Sequence, residues 1–307
     1  MIKYPLSRIL PLAILVSVHS TSAEAQVTVS QSLSVDTEFY EQSLYTQNRE
    51  FRFSPLGFNI GYHVTLNQQW QFSARAGKFE DNIHGTGYQG DFDNQSLAVL
   101  AGFTLAPWWF TLSYQEDKDN TRIIGTGERR ATLNDELKLT STAVESARDF
   151  TINDAFWMTL GLSIEYQQQT QSTITQAGFA DSAFSETSEL KSDGWLAGVN
   201  ATASYFYGFN ETTAIVPGVS INWSEPLSGE THGSTTTRWR SPSGPRVRQS
   251  HSSFENSAGS GAVDLLLNLI VSDFTINAGI SMPFDSDFDT GMMNDGKHLW
   301  LGASYHF

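Results

Sequence analysis

Four groups of side chains have the types and spacing for chemistry. His251-Ser252-Ser253, with Asn256 close behind, sets an imidazole beside hydroxyls, the pairing that general-base activation of a serine nucleophile requires. Serine is so frequent in this stretch that chance proximity accounts for the pattern, and no catalytic residue is assigned. Asp285, Asp287 and Asp289 alternate with other residues and are followed by Gly291 and Asp295, a run of oxygen donors spaced like a calcium loop. Its glycine falls one place late and the bidentate Glu is missing, so a solvated acidic loop is expected, with no metal or cofactor. Arg238, Arg240, Arg246 and Arg248 concentrate guanidinium groups, suited to bidentate phosphate contact, around Trp239, Pro242 and Pro245. Arg75, Glu165 and Asp264 are isolated charges within runs of small neutral residues.

The elements that must position these groups are strands. Large apolar or aromatic residues recur at every second place in twelve segments, the period that puts them on one face of a strand. Trp70, Phe72, Ala74 and Ala76 form one such stripe; Trp108, Phe110, Leu112 and Tyr114 another; Phe156, Met158, Leu160, Leu162, Ile164 and Tyr166 a third. The sixth segment is the weakest, marked by Val144, Phe150 and Ile152 and interrupted by Arg148. Opposite the stripes lie small and polar residues, such as Asn59, Gly61, His63 and Thr65, or Thr159, Gly161, Ser163 and Glu165. The polar faces read as a wet lumen in which Arg75, Glu165 and Asp264 are the candidate charges, free to set ion preference or to pair with each other.

Connections alternate strictly between tight and long. The tight ones are Asn67 to Gln69, Ala106-Pro107, Asn153 to Ala155, Gly208 to Glu211 and Ser272-Asp273. Long polar loops are expected over roughly 41–52, 81–93, 117–139, 170–193, 224–257 and 285–295. An even strand number with short turns at one end and long loops at the other is the pattern of a bacterial outer-membrane barrel. Aromatics near both strand ends supply the two interfacial girdles, Trp70, Trp108 and Phe274 at one and Tyr114, Tyr166, Trp195 and Trp223 at the other. Closure follows from the solvent: an unpaired backbone group in hydrocarbon costs several kcal/mol, so the last strand must pair with the first. The expected fold is all-β, a transmembrane antiparallel up-and-down β-barrel of 12 strands.

The first 25 residues read as a secretory signal, with Lys3 and Arg8 ahead of the apolar run Ile9 to Val18 and Ala23-Glu24-Ala25 as the cleavage site. The expected division is a signal peptide over 1–25 and a barrel domain over 26–307. Cleavage removes two cations and one anion, taking the formal net charge from −15 to −16. So acidic a surface excludes nucleic acid as an expected partner. With no cysteine, disulfide frameworks, thiolate catalysis and Cys-ligated zinc are excluded.

The chain ends Leu-Trp-Leu-Gly-Ala-Ser-Tyr-His-Phe, with Leu299, Leu301, Ala303, Tyr305 and Phe307 on one face. This segment resembles the C-terminal recognition signal of Gram-negative outer-membrane proteins, which implies insertion by the barrel assembly machinery. The strand count, and stretches such as Thr213 to Trp223 followed by the closing strand, resemble the translocator barrel of autotransporters. Ahead of Val27 the chain offers neither a passenger nor a pore-threading helix, so export of a passenger is not expected. His251-Ser252-Ser253 is similar to the His-x-Ser of outer-membrane phospholipase A but lacks that family's Gly before His and Asn-Gly after Ser.

The combined expectation is a non-enzymatic protein of the outer membrane, with both termini periplasmic and long loops extracellular. Its role would be structural or one of surface interaction through those loops, with a passive channel for small solutes as the alternative and a hydrolase as the third reading. Partners would be outer-membrane lipids and lipopolysaccharide, whose phosphates Arg238, Arg240, Arg246 and Arg248 would meet.

Overall fold

The structure, a computed structural model, describes residues 28–40, 42–46, 49–85, 87–125, 131–179, 182–241, 244–255, 259–285 and 298–307. The signal-like segment 1–25, Asn256 and the acidic run from Asp287 to Asp295 lie outside the described residues. In chain order the strands are β1 (Val29–Tyr40), β2 (Gln42–Thr46), β3 (Arg49–Phe53), β4 (Leu56–Leu66), β5 (Trp70–Gly85), β6 (Tyr88–Leu105), β7 (Trp108–Gly125) and β8 (Ala131–Thr151). They continue as β9 (Phe156–Phe179), β10 (Ser182–Tyr205), β11 (Tyr207–Asn210), β12 (Thr213–Ser241), β13 (Gly244–Glu255), β14 (Ser260–Val271), β15 (Phe274–Asp285) and β16 (His298–His306).

Twelve of these form a closed antiparallel barrel: β1, β4 to β10, β12 and β14 to β16. The seam is the pairing of β1 with β16, in register from Ser32 opposite His306 to Tyr40 opposite His298. Gln31 and Phe307 extend it by exchanging backbone hydrogen bonds of 3.2 and 3.0 Å. The terminal segment is thus hydrogen-bonded on both edges, by β1 and β15, and leaves no open edge in the band.

The apolar stripes face outward. Leu162 is 66% exposed and Leu56, Leu112, Ile152, Leu301 and Phe307 are likewise exposed, an arrangement that water would not tolerate and that hydrocarbon requires. Arg148 sits in this face near a tight turn, its guanidinium 5.4 Å from the Trp108 ring centroid and 4.9 Å from that of Phe150. The two rings screen a charge that broke the sequence pattern.

The tight turns stand where expected, with one correction. Residues Tyr207–Asn210 pair with the start of β12, and the chain reverses at Glu211-Thr212 rather than over Gly208 to Glu211. At the first turn Asn67 and Gln68 adopt φ of 52° and 57°, and the Asn67 side chain accepts a 3.2 Å bond from the Thr28 amide. Asn tolerates this left-handed backbone better than most residues.

The long loops are the larger correction. Most of 81–93, 117–139, 170–193 and 224–257 is paired sheet: β5 and β6 run to Gly85 and from Tyr88, β9 and β10 to Phe179 and from Ser182, and β12 to Ser241. Likewise the weak sixth segment is a 21-residue strand, Ala131–Thr151. About 9–11 residues suffice to cross a bilayer, whereas β9 and β10 have 24 each and β12 has 29. Loss of apolar residues marks where these strands leave the apolar band, not where they end.

Past that band the apolar side changes face. In β5 the outward Trp70, Phe72, Ala74 and Ala76 give way to the inward Phe79 and Ile83; in β7 the outward Trp108 to Tyr114 give way to the inward Ile123. Phe79, Ile83, Phe92, Ile123 and Leu133 form a buried cluster, flanked by Tyr88. A sheet in hydrocarbon turns its oily side outward, and the same sheet in water turns it inward. The extensions of β5 to β8 are therefore ordered by a small core of their own.

Candidate functional site

Inside the barrel, Arg75 projects from β5 and forms ion pairs with Asp36 and Glu38 of β1. Glu38 also accepts a 2.7 Å hydrogen bond from Asn59 Nδ2 of β4 and lies 2.9 Å from His298 Nε2 of β16. Asn59 is only 2% exposed, and the group as a whole is largely shielded from solvent. Four adjacent strands are thereby tied together on the lumen side of the seam. Asp36 and Glu38 were legible as inward residues by alternation with the stripe Leu33, Val35, Thr37, and His298 by alternation with Leu299 and Leu301, yet only Arg75 stood out from its neutral neighbours.

Glu165 and Asp264, the other two lumen charges, do not join Arg75. Glu165 accepts a 2.7 Å bond from Gln167 Nε2 on its own strand, and Asp264 a 2.8 Å bond from Asn222 Nδ2 on the neighbouring one. Higher in the barrel Asp135 accepts 2.9 and 3.1 Å bonds from Gln171 Nε2, while Asn94 donates to Asp119. Asn94, Asp119, Asp135, Gln167, Gln169 and Gln171 are all buried, so the inner face here is closely packed with polar side chains, and Asn94 Oδ1 is buried with no hydrogen-bond partner among the described residues.

The four arginines divide. The register of β12 with β13 sets Arg238 opposite Val247 and Arg240 opposite Pro245, but Arg246 opposite Trp239 and Arg248 opposite Thr237. Opposed residues share a face, so two guanidinium groups point to each side of the sheet and cannot grip one phosphate together. Trp239 stacks obliquely on Phe184 at 6.3 Å, on the face shared with Arg246 and Arg248.

His251 and Ser253 lie two apart on one face of β13, both exposed, with no hydrogen bond between them among the described residues. Nor does any group of three or more His, Asp or Glu side chains among the described residues form a metal cluster.

Just above the apolar band, on the outer surface, Glu116 accepts from Tyr114 Oη at 3.0 Å and pairs with Lys118 at 2.7 Å and Lys138 at 3.1 Å. The two ammonium groups and the phenol hold its carboxyl down to about 2.

At the closing strand, Leu299, Leu301, Tyr305 and Phe307 are all exposed on the outer face. Tyr305 packs on Phe274 at 4.8 Å and stacks on Phe307 at 5.8 Å.

Comparison with known proteins agrees with this geometry. A family model described as the autotransporter beta-domain matches residues 33–280. No curated protein matches the chain. Among solved structures, the translocator domain of the autotransporter NalP from Neisseria meningitidis aligns with a TM-score of 0.61 at 8% identity, over 91% of this chain and 88% of that one. The beta domain of the Bordetella autotransporter BrkA aligns with a TM-score of 0.57 at 10% identity, over 91% of this chain and 100% of that one. At such identities the likeness is one of fold. With the family model covering most of its length and a closed twelve-stranded barrel beneath it, this chain belongs to the autotransporter beta-domain family and is an outer-membrane β-barrel protein.

Proposed function

We propose that this barrel is a non-enzymatic outer-membrane scaffold whose tight turns face the periplasm and whose long hairpins project from the cell as a surface-interaction module. The observation that carries this reading is the change of apolar face past the membrane band. The extensions of β5 to β8, with their own buried cluster, are a folded part, held rigid enough to present a surface. β12 runs on from Trp223 to Ser241, roughly 60 Å at ~3.3 Å per residue. A non-specific pore collar has no need of that length.

Because the chain lacks cysteine, single cysteines report orientation cleanly. Ser250→Cys on β13 is expected to react with a membrane-impermeant maleimide on intact cells, and Asp154→Cys at a tight turn only after lysis; the reverse pattern rejects the orientation. The closely packed inner face supports silence in planar-bilayer recordings, and a stable unit current would move the assignment to a passive channel. Lipid and peptide hydrolysis assays are expected to read background for wild type, His251→Ala and Ser253→Ala alike; hydrolysis lost on either substitution would establish an enzyme.

A further inference from the structure

The chain has six lysines, and four of them stand in one cross-strand row. Lys78 lies opposite Gln95, Gln95 opposite Lys118, Lys118 opposite Lys138, Lys138 opposite Thr170, Thr170 opposite Lys191, and Lys191 opposite His232. All share the outward parity of the lipid-facing stripes, and the lysines are exposed or half-exposed.

The row follows the upper edge of the apolar band. Lys78 is the next outward residue after Ala76; Lys118 and Lys191 are the second after Tyr114 and Trp195, and Lys138 the second after Thr142, which pairs with Tyr114. Past His232, the nine residues Gly233 to Ser241 of β12, paired with Gly244 to Ser252 of β13, carry the sheet further out.

Two features set this row apart from scattered solvated charge. Lys118 and Lys138 are directly opposed, an arrangement that repels, and Glu116 is the group that bridges them. Lys191 has no ion pair among the described residues. Surface ion pairs such as Lys78 with Glu80 at 2.5 Å are weakly held and exchange readily for a better anion.

From this placement we infer that the row binds phosphate groups of a glycolipid headgroup in the adjoining leaflet, the chemistry of lipopolysaccharide. The anion is a membrane lipid rather than a free phosphate, because the lysines track the edge of the lipid-facing surface, where headgroups stand. The inference rests on the hairpin end facing the cell exterior, and it assigns the lipid contact to lysines of the wall rather than to the arginines at its tip.

The test uses refolded full-length protein in detergent, with immobilised bisphosphorylated lipid A, the same glycolipid dephosphorylated, and inorganic phosphate as competitor. Wild type is expected to retain bisphosphorylated lipid A and to bind the dephosphorylated form at least about tenfold more weakly, because charge-assisted bonds to phosphate dominate. A variant with Lys78, Lys118, Lys138 and Lys191 all changed to Gln, shown folded by heat-modifiable gel migration, should lose that preference. Arg238→Gln/Arg240→Gln should keep it. Should the lysine variant misfold, Lys118→Gln/Lys191→Gln replaces it and should show a partial loss. Equal retention of the two glycolipids, an unchanged preference in a folded lysine variant, or complete displacement by millimolar inorganic phosphate overturns the inference. Labelling of Ser250→Cys on intact cells reports orientation separately, so a wrong orientation and an absent lipid site give different results.

Discussion

His298 Nε2 stands 2.9 Å from Glu38 Oε2 across the seam of the barrel, although 260 residues separate the two in sequence. Glu38 is the common acceptor of the lumen cluster, facing Arg75, Asn59 and His298 on three other strands. It joins the first barrel strand to the last by side chains as well as by the backbone ladder.

Glu38→Ala is therefore expected to lower barrel stability by about 1–3 kcal/mol, the cost of leaving buried donors without an acceptor. Arg75 would keep Asp36, which limits the loss. Urea unfolding of the refolded protein, followed by gel mobility, measures it; an unchanged midpoint would show that the backbone ladder alone closes the seam.

Gly77 offers a second probe of the same cluster. A Cβ at this position would lie 1.9 Å from Asn59 Oδ1 and 2.6 Å from Ser96 Oγ. Ser96 can rotate, but Asn59 cannot recede without leaving Glu38. Gly77→Ala should cost about 1–3 kcal/mol through this overpacking, and less in an Asn59→Ala background, because the two sites share one contact. Additive losses in the double mutant would place the strain elsewhere.

How far the sequence could be read follows from which physics writes a periodic signal. Within hydrocarbon the stripe Trp108, Phe110, Leu112, Tyr114 is forced outward, so strand count, tight turns and closure were all legible. Above the band, strands are held by sparse inward residues such as Phe79, Ile83 and Ile123, separated by polar ones on both faces, and the period dissolves into what reads as loop. The parity changes from Ala76 to Phe79 and from Tyr114 to Ile123 were present in the sequence as marks of membrane exit. Pairing across strands was not: neither the division of Arg238 and Arg240 from Arg246 and Arg248 nor the alignment of four lysines can be seen without register.

Glu116 makes the outer rim sensitive to acid. Its carboxyl, ordinarily near 4.5, is held down to about 2 in the folded protein by Lys118 and Lys138. A group whose pKa falls on folding stabilises above its unfolded value and loses that contribution as pH drops through the folded one. The difference in urea midpoint between wild type and Glu116→Gln should thus be constant above about pH 5 and shrink between about 4.5 and 2. It should be small and diminish in high salt, since these side chains are exposed to water. A difference that grows with acidity would reverse the assignment.

Phe307 separates recognition from stability. Its ring lies on the outer face, 59% exposed to the surroundings of the barrel, and stacks on Tyr305, which packs on Phe274. The backbone bonds between residue 307 and Gln31 do not depend on the side chain. Phe307→Ala should therefore cost the refolded barrel about 2 kcal/mol, the scale for withdrawing an aromatic side chain from an apolar environment, and leave it closed. If the terminal aromatic also serves as the signal read by the assembly machinery, the amount inserted in cells should fall far more steeply than that modest loss implies. Parallel measurement of urea midpoint in vitro and of outer-membrane yield in cells decides between the roles: yields that track stability alone would leave Phe307 as one more lipid-facing aromatic.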